Sequence, residues 1–424
     1  MPPNRIAIGI VDPGREINYY PVFEFLEANG LLASVTIYNP YDTQPKPDIV
    51  LASDEWCSEY SVKLLHAKVQ KLPTLHIADG IVKWGNVWTN PRSLSEDAGM
   101  PMFQPILADR IACIGSFQAR IFSSWGQTKK LALTGLPRFD KFISHFHSLQ
   151  RLDKRSSFRA DISNPKILII VANQPGYTDD EISKARQSFH DLNLYVSQDL
   201  NCRHLNVVWR YGPRSPKVLP ADLFGIVEND TSLFEALASS DYVIASPSTA
   251  ALEAMSMDIP TCLIDYSGLP EFVHAAWVIR SKSTIDQEFC SLIKAPENRM
   301  NYQRFLLHDQ IRMDGLATPR VCTLMQNMIS LAESCLQQGV QPDFSRLRVD
   351  SPDFSYIQPY AYNPDLLFPA HPLFARSDVE SLKCELGHLR LRLNQVESSP
   401  NTKLFSLFKL KARRFFSRLL KSPC

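Results

Sequence analysis

Two kinds of stretch alternate along the first 340 residues. Short apolar runs rich in Ile, Val, Leu and Ala end in Gly, Asp, Ser or Asn, and longer mixed stretches separate them. One set of runs is Ile6–Val11, Ser34–Asn39, Pro47–Ser53, Thr74–Asp79, Arg110–Gly115 and Lys130–Gly135. A second is Ile167–Ala172, Asn206–Tyr211, Phe224–Val227, Asp241–Ser246 and Thr261–Tyr266, with Ala275–Ser281 as an edge. Runs that are apolar throughout predict strands covered on both faces. Helices are predicted over Tyr20–Asn29 and Ser116–Trp125, each followed by a glycine, and over Thr231–Ser239 and Thr249–Met257. More helices are predicted up to about Gln338. Strand–helix alternation predicts mostly parallel sheets with helices on both faces.

The polar stretch 151–165 divides the two sets. The expected plan is therefore two Rossmann-like α/β domains, 1–150 and 166–338, facing each other across a cleft. Residues 339–376 are rich in Pro, Tyr and Asp and read as an arm. In 377–424, Val379, Leu382, Leu386, Leu389, Leu393 and Val396 step by three and four, a short seam for weak self-association. The end, 401–424, carries seven Lys or Arg and no acid. Leu404, Phe408, Ala412, Phe415 and Leu419 share one helical face there. A basic amphipathic tail of this kind is expected to dock on an anionic membrane surface.

Composition narrows the classes. With 424 residues, two domains and extras are the natural expectation. A net charge of +1 argues against a nucleic-acid partner bound by bulk charge. The nine cysteines form no C-x-x-C pair, and Cys113 and Cys262 fall inside apolar runs, so they read as reduced core thiols. Neither a signal-like apolar segment nor a run of about 20 apolar residues is present. The expected location is the cytoplasm, peripherally on the inner face of the plasma membrane.

In open parallel sheets, ligands bind beyond the carboxyl ends of the strands, so the loops after each strand carry the candidate chemistry. Asp241–Met257 is the richest. A strand ends at Ser246, and Ser248 and Thr249 open a helix whose free N–H groups and positive dipole end suit a phosphate. Glu253, one turn on, is placed to accept from ribose hydroxyls; the bland alternative is a capping serine and a solvated glutamate. Asp79, at the end of the Thr74–Asp79 run, is placed to deprotonate an acceptor hydroxyl, and Lys83 to neutralise a phosphate. His76 and Trp84 flank them on the expected acceptor side, although His76 within a strand also reads as a core histidine. Arg210 and Arg214, after Asn206–Tyr211, offer guanidinium forks for a diphosphate, with Asn173 and Gln174 beside them. P-loop, G-x-G-x-x-G, H-E-x-x-H, zinc-ligand and D-x-D patterns are all missing. The expected donor site uses neither metal nor cofactor, with helix dipole and arginine meeting the diphosphate charge.

Two passages resemble known families. Asp241–Tyr266, with Ser246 or Ser248, Glu253 and the turn Asp258-Ile259-Pro260, resembles the donor-nucleotide motif of GT-B glycosyltransferases and of the UDP-N-acetylglucosamine 2-epimerases. Thr134-Gly135-Leu136-Pro137-Arg138-Phe139-Asp140 resembles the passage closing the first domain in those epimerases and in surface-polysaccharide transferases; Arg138 and Asp140 are its candidate residues, the bland alternative being an interdomain turn held by their own ion pair. Two departures matter. The epimerase pattern His-x-Glu-x-Gly meets Ala78 at the glutamate, and the teichoic-acid glycerophosphotransferase pattern meets Asp79 at a histidine and Gly212-Pro213 in place of His-Pro. The resemblance implies a glycosyltransferase moving a sugar from a nucleotide sugar to a glycan or lipid-linked acceptor in surface polysaccharide synthesis. A sugar-nucleotide epimerase or hydrolase, a polyol-phosphate transferase and a silent scaffold are the alternatives.

Overall fold

The computed structural model describes residues 5–42, 45–83, 87, 102, 103, 105–151, 164–176, 178–198 and 204–347. Trp84, the self-association seam and the basic tail lie outside the described residues.

The first half builds a six-stranded parallel sheet in the order β2-β1-β3-β4-β5-β6. Its strands are β1 (Ile6–Ile10), β2 (Leu32–Ile37), β3 (Ile49–Ala52), β4 (Thr74–Ile77), β5 (Arg110–Cys113) and β6 (Leu131–Leu133). Helices α1 (Tyr20–Ala28), α2 (Ser58–Val69), α3 (Ser116–Ser124) and α4 (Pro137–Arg151) connect or follow them. The second half repeats the plan in the order β12-β11-β10-β7-β8-β9, again parallel throughout. Here the strands are β7 (Lys166–Val171), β8 (Asn206–Tyr211), β9 (Ile226–Val227), β10 (Tyr242–Ala245), β11 (Thr261–Ile264) and β12 (Trp277–Ile279). Its helices are α5 (Asp179–Gln198), α6 (Leu233–Ala238), α7 (Thr249–Ser256), α8 (Ile285–Lys294), α9 (Glu297–Gln310) and α10 (Ala317–Gln337).

Each of the twelve expected strands is present, shorter by a residue or more at the ends in most cases. β3, β4, β5 and β11 are buried at every position, as runs without polar alternation require. Cys113 and Cys262 are free and buried in β5 and β11. Pro137–Asp140 is the first turn of α4, not the interdomain turn of the bland alternative; proline suits this position because its missing N–H would be unsatisfied anyway.

The halves are not packed as independent bodies. One apolar cluster joins Phe122, Phe139 and Ile143 of the first half to Ala251, Leu252 and Leu307 of the second. The sequence groups α10 with the second half, but its Val321, Cys322, Leu324, Met325 and Met328 pack with Ile6, Ile8 and Leu26 of the first. Two carboxylate oxygens of Asp140 receive the Ala317 and Thr318 N–H groups at 3.1 and 2.6 Å, capping this returning helix. The Gly115 backbone lies so close to the Gln310 carbonyl that a β-carbon would overlap it.

Candidate active site

In each sheet the strand order reverses once, between β1 and β3 in the first and between β7 and β10 in the second. Such switch points open a crevice at the carboxyl ends of the strands. The two crevices meet where Gly80, after β4, touches Thr249 and Lys83 bonds the Gln174 carbonyl.

At the first crevice, Asp12 follows β1. It is fully buried, accepts from the Tyr19 hydroxyl at 2.6 Å and from the Ser53 and Asp54 N–H groups at 2.9 and 2.7 Å. Burial outweighs these bonds and pushes its pKa up to about 6. Asp54 lies 3.5 Å from Arg15, whose other nitrogen lies 3.8 Å from Asp79. Asp79 leaves β4 toward the cleft with its side chain 43 % exposed. Withdrawal of solvent by the surrounding walls raises the Asp79 pKa, Arg15 and Arg138 lower it, and Asp54 raises it further. Of the carboxylates here, Asp12 and Asp54 are buried and Asp140 caps α10, which leaves Asp79 open to a ligand. Sequence reasoning missed Arg15, a lone arginine in a Gly- and Pro-containing loop with no periodic or motif signal.

At the second crevice, the Ser246 hydroxyl accepts the Ala172 N–H at 2.7 Å and so ties β10 to the end of β7. A small pocket is lined by Lys83, Glu181, Ser246, Asp265, Tyr266 and Phe272 among others. Lys83 comes from the first half, and its ammonium donates to the Gln174 carbonyl at 2.6 Å. Burial lowers its pKa to about 8, against the upward pull of Glu181 and Asp265. Asn173 accepts the Arg214 N–H at 3.2 Å, and Arg214 stays exposed at the rim. Lys83 and Ser246 thus meet at this pocket, with the Gln174 carbonyl holding Lys83 in place; Asn173 and Arg214 are bonded to each other and do not line it.

The start of α7 is covered. Gly80 presses on Thr249, and the Ile81 N–H donates to the Thr249 hydroxyl at 3.4 Å. Ser248 holds the N-cap position without a side-chain capping bond, and its hydroxyl oxygen is buried with no hydrogen-bond partner. That leaves Ser248 with an unspent donor and acceptor beside the free N–H groups of the helix.

Four expectations need correction. His76 is 1 % exposed, packed against Trp56 and Phe103, with burial pushing its pKa down to about 3; a residue in a fully covered strand cannot reach an acceptor. Arg210 is spent on the β9 turn, donating to the Glu228 carbonyl at 3.1 Å and the Thr231 carbonyl at 2.6 Å. Arg138 does not pair with Asp140; it lies 3.4 Å from Glu253 across the two halves. Glu253 is 5 % exposed, so it is neither solvated nor open; burial raises its pKa and Arg138 opposes the rise. Among the described residues, no group of three or more His, Cys, Asp or Glu has metal-holding geometry.

No protein-family model and no curated protein matches the sequence. Solved structures do match the fold. S. aureus MnaA, in a co-structure with UDP, is 15% identical, with a TM-score of 0.50 over 77% of this chain and 97% of that one. The UDP-GlcNAc 2-epimerase from Neisseria meningitidis, bound to UDP-GlcNAc, is also 15% identical, with a TM-score of 0.51 over 76% of this chain and 99% of that one. The wall teichoic acid polymerase TagF is 14% identical, with a TM-score of 0.50 over 76% and 89%. With two doubly wound parallel sheets meeting at a cleft and these structural neighbours, the chain has the GT-B fold.

Proposed function

We propose that this chain is a glycosyltransferase that moves a sugar from a nucleotide-sugar donor to a glycan or lipid-linked acceptor in surface polysaccharide synthesis. One observation carries the reading: Asp79 stands open in a cleft whose opposite wall holds a pocket that Lys83 enters from Asp79's own loop. In this reading residues 1–150, with α10 packed on them, take the acceptor, and 166–316 take the donor. Asp79 accepts the proton of the acceptor hydroxyl while its oxygen forms the new bond to the anomeric carbon. The bond from that carbon to the diphosphate oxygen breaks with its electron pair. Lys83, with the Ser246 hydroxyl beside it in the pocket, meets the charge that collects on the leaving group, while Ser248 and Thr249 lie covered beneath Gly80 and take no part. Fixed donors of this kind do without a metal ion. The tail 401–424 is assigned to a membrane surface beside a lipid-linked acceptor.

The structural neighbours favour a second reading, a sugar-nucleotide epimerase or hydrolase. Ala78, 2 % exposed, stands where the resemblance to those epimerases asks for a glutamate. A thermal-shift screen against UDP, GDP, CDP, CMP and dTDP conjugates, followed by turnover with and without acceptor, separates the readings. A donor at 100 times its Kd adds about 2.7 kcal/mol of stability. Consumption of the donor only with acceptor supports transfer, and conversion without acceptor supports the epimerase or hydrolase.

A further inference from the structure

The side chain nearest to Asp79 with an opposite charge has no part in the scheme above. We propose that Arg15 is the positioning residue for Asp79, bridging it to Asp54 and so fixing the carboxylate at the open end of β4. This rests on the reading of Asp79 as the base.

The bridge belongs to a chain of fixed groups running from the interior to the cleft. Asp12, with no exposure, is held by the Tyr19 hydroxyl and by two backbone N–H groups. One of those N–H groups belongs to Asp54, whose Oδ1 also accepts the Trp56 N–H at 3.3 Å. Asp54, its side chain 6 % exposed, holds one nitrogen of Arg15; the other nitrogen faces Asp79, and both of these side chains are over two-fifths exposed. The loop carrying Arg15 is itself tied down. Its N–H donates to the Asp12 carbonyl at 3.2 Å and its carbonyl accepts the Asn18 N–H at 3.0 Å. Gly14 turns the chain with φ at +92°, a conformation other residues rarely adopt, and its N–H donates to Glu16 at 2.8 Å.

A planar guanidinium can span two carboxylates from different strands, whereas an ammonium is a single point of charge. Separations of 3.5 and 3.8 Å put both carboxylates within ion-pair reach of the one guanidinium. The charged groups facing Asp79 are Arg15, Arg138 and Asp54, with Glu253 behind Arg138. Removing Arg15 leaves Asp54 to repel Asp79, with Arg138 already shared with Glu253.

The test uses the full chain with Arg15→Gln, Arg15→Lys and Asp79→Asn, once a donor has been found by the nucleotide screen. Two readouts are taken: the pH dependence of kcat/KM, and carboxyl-carbon NMR titration of Asp79, which needs no turnover. In Arg15→Gln, the Asp79 titration and the acid limb of the profile should move together to higher pH. Turnover at pH 7 should fall about tenfold or more, while donor KM changes less than threefold. Arg15→Lys should restore part of the limb but less of the rate, because one ammonium cannot hold both carboxylates, and it covers the case in which Arg15→Gln does not fold. An Asp79 titration unmoved by both variants overturns the proposal. If Asp79→Asn keeps full turnover, the base assignment fails instead, and the NMR titration still decides whether Arg15 governs the carboxylate.

Discussion

Substituting Gly80 by alanine tests how the two halves meet. Gly80 has no left-handed backbone angle, so alanine there brings no conformational strain of its own. Its β-carbon would, however, overlap the Thr249 hydroxyl oxygen, while the Thr249 Cβ and Cγ2 would lie at 3.4 and 3.5 Å, near ordinary contact. One atom therefore carries the clash. Relief requires Thr249 to turn, breaking its bond to the Ile81 N–H, or the loop to retreat from α7. Overpacking of this kind costs about 1–3 kcal/mol, and the lost hydrogen bond adds roughly 0.5–1.5 kcal/mol. For a unit of 150–250 residues each kcal/mol lowers Tm by roughly 2–4 °C. Thermal unfolding of Gly80→Ala, Thr249→Ala and the double variant forms a cycle. The double variant should be more stable than the sum of the single losses predicts, by about 1 kcal/mol or more, because the overlapping oxygen is gone. Strict additivity would show that Gly80 and Thr249 do not touch in solution, and the covered start of α7 would go with it.

Two further expectations concern charge. Asp12 has its pKa raised to about 6 in the fold against 3.8 unfolded, so between these values the folded chain holds the extra proton. Its contribution is present at low pH and lost as pH rises through about 6, a change of roughly 3 kcal/mol; denaturant unfolding of Asp12→Asn from pH 4 to 7 should lack that loss relative to the parent, and identical slopes would refute it. Lys83, with its pKa lowered to about 8, should lose its ammonium as pH rises through that value. Affinity for a nucleoside diphosphate, measured by calorimetry, should then fall from pH 7 to 9 in the parent and stay flat in Lys83→Met; a parallel fall in both would take Lys83 out of the anion site.

Much of the fold was legible because strands buried on both faces carry unbroken apolar runs, as in Ile167–Ala172 and Thr261–Tyr266. Helices α2, α4 and α5 carry no such signal. Their mean composition is polar or neutral, with Lys, His, Asp and Gln between the packed positions. The last helix was expected, but which sheet it covers depends on where the chain crosses, and local periodicity does not encode a crossing. The site follows the same division. Asp79 and Lys83 are placed by being in the loop after β4, a position fixed by topology. The pairing of Arg138 with Glu253 spans 115 positions in the chain, so a motif centred on either residue misassigns both. His76, already readable as a core histidine within the Thr74–Asp79 run, sits inside β4, and only its acceptor-side reading falls.

The central claim is that Asp79 removes the acceptor proton while the donor lies against the second half. Its most direct measurement is acceptor-dependent turnover of Asp79→Asn, alongside donor affinity by calorimetry in the same preparation. The account predicts donor affinity within about threefold of the parent, since Asp79 lies on the wall opposite the pocket, and turnover slower by about 10²–10⁴-fold, the usual loss of a general base. Parent-like turnover with donor still bound would contradict it and place the base on another residue.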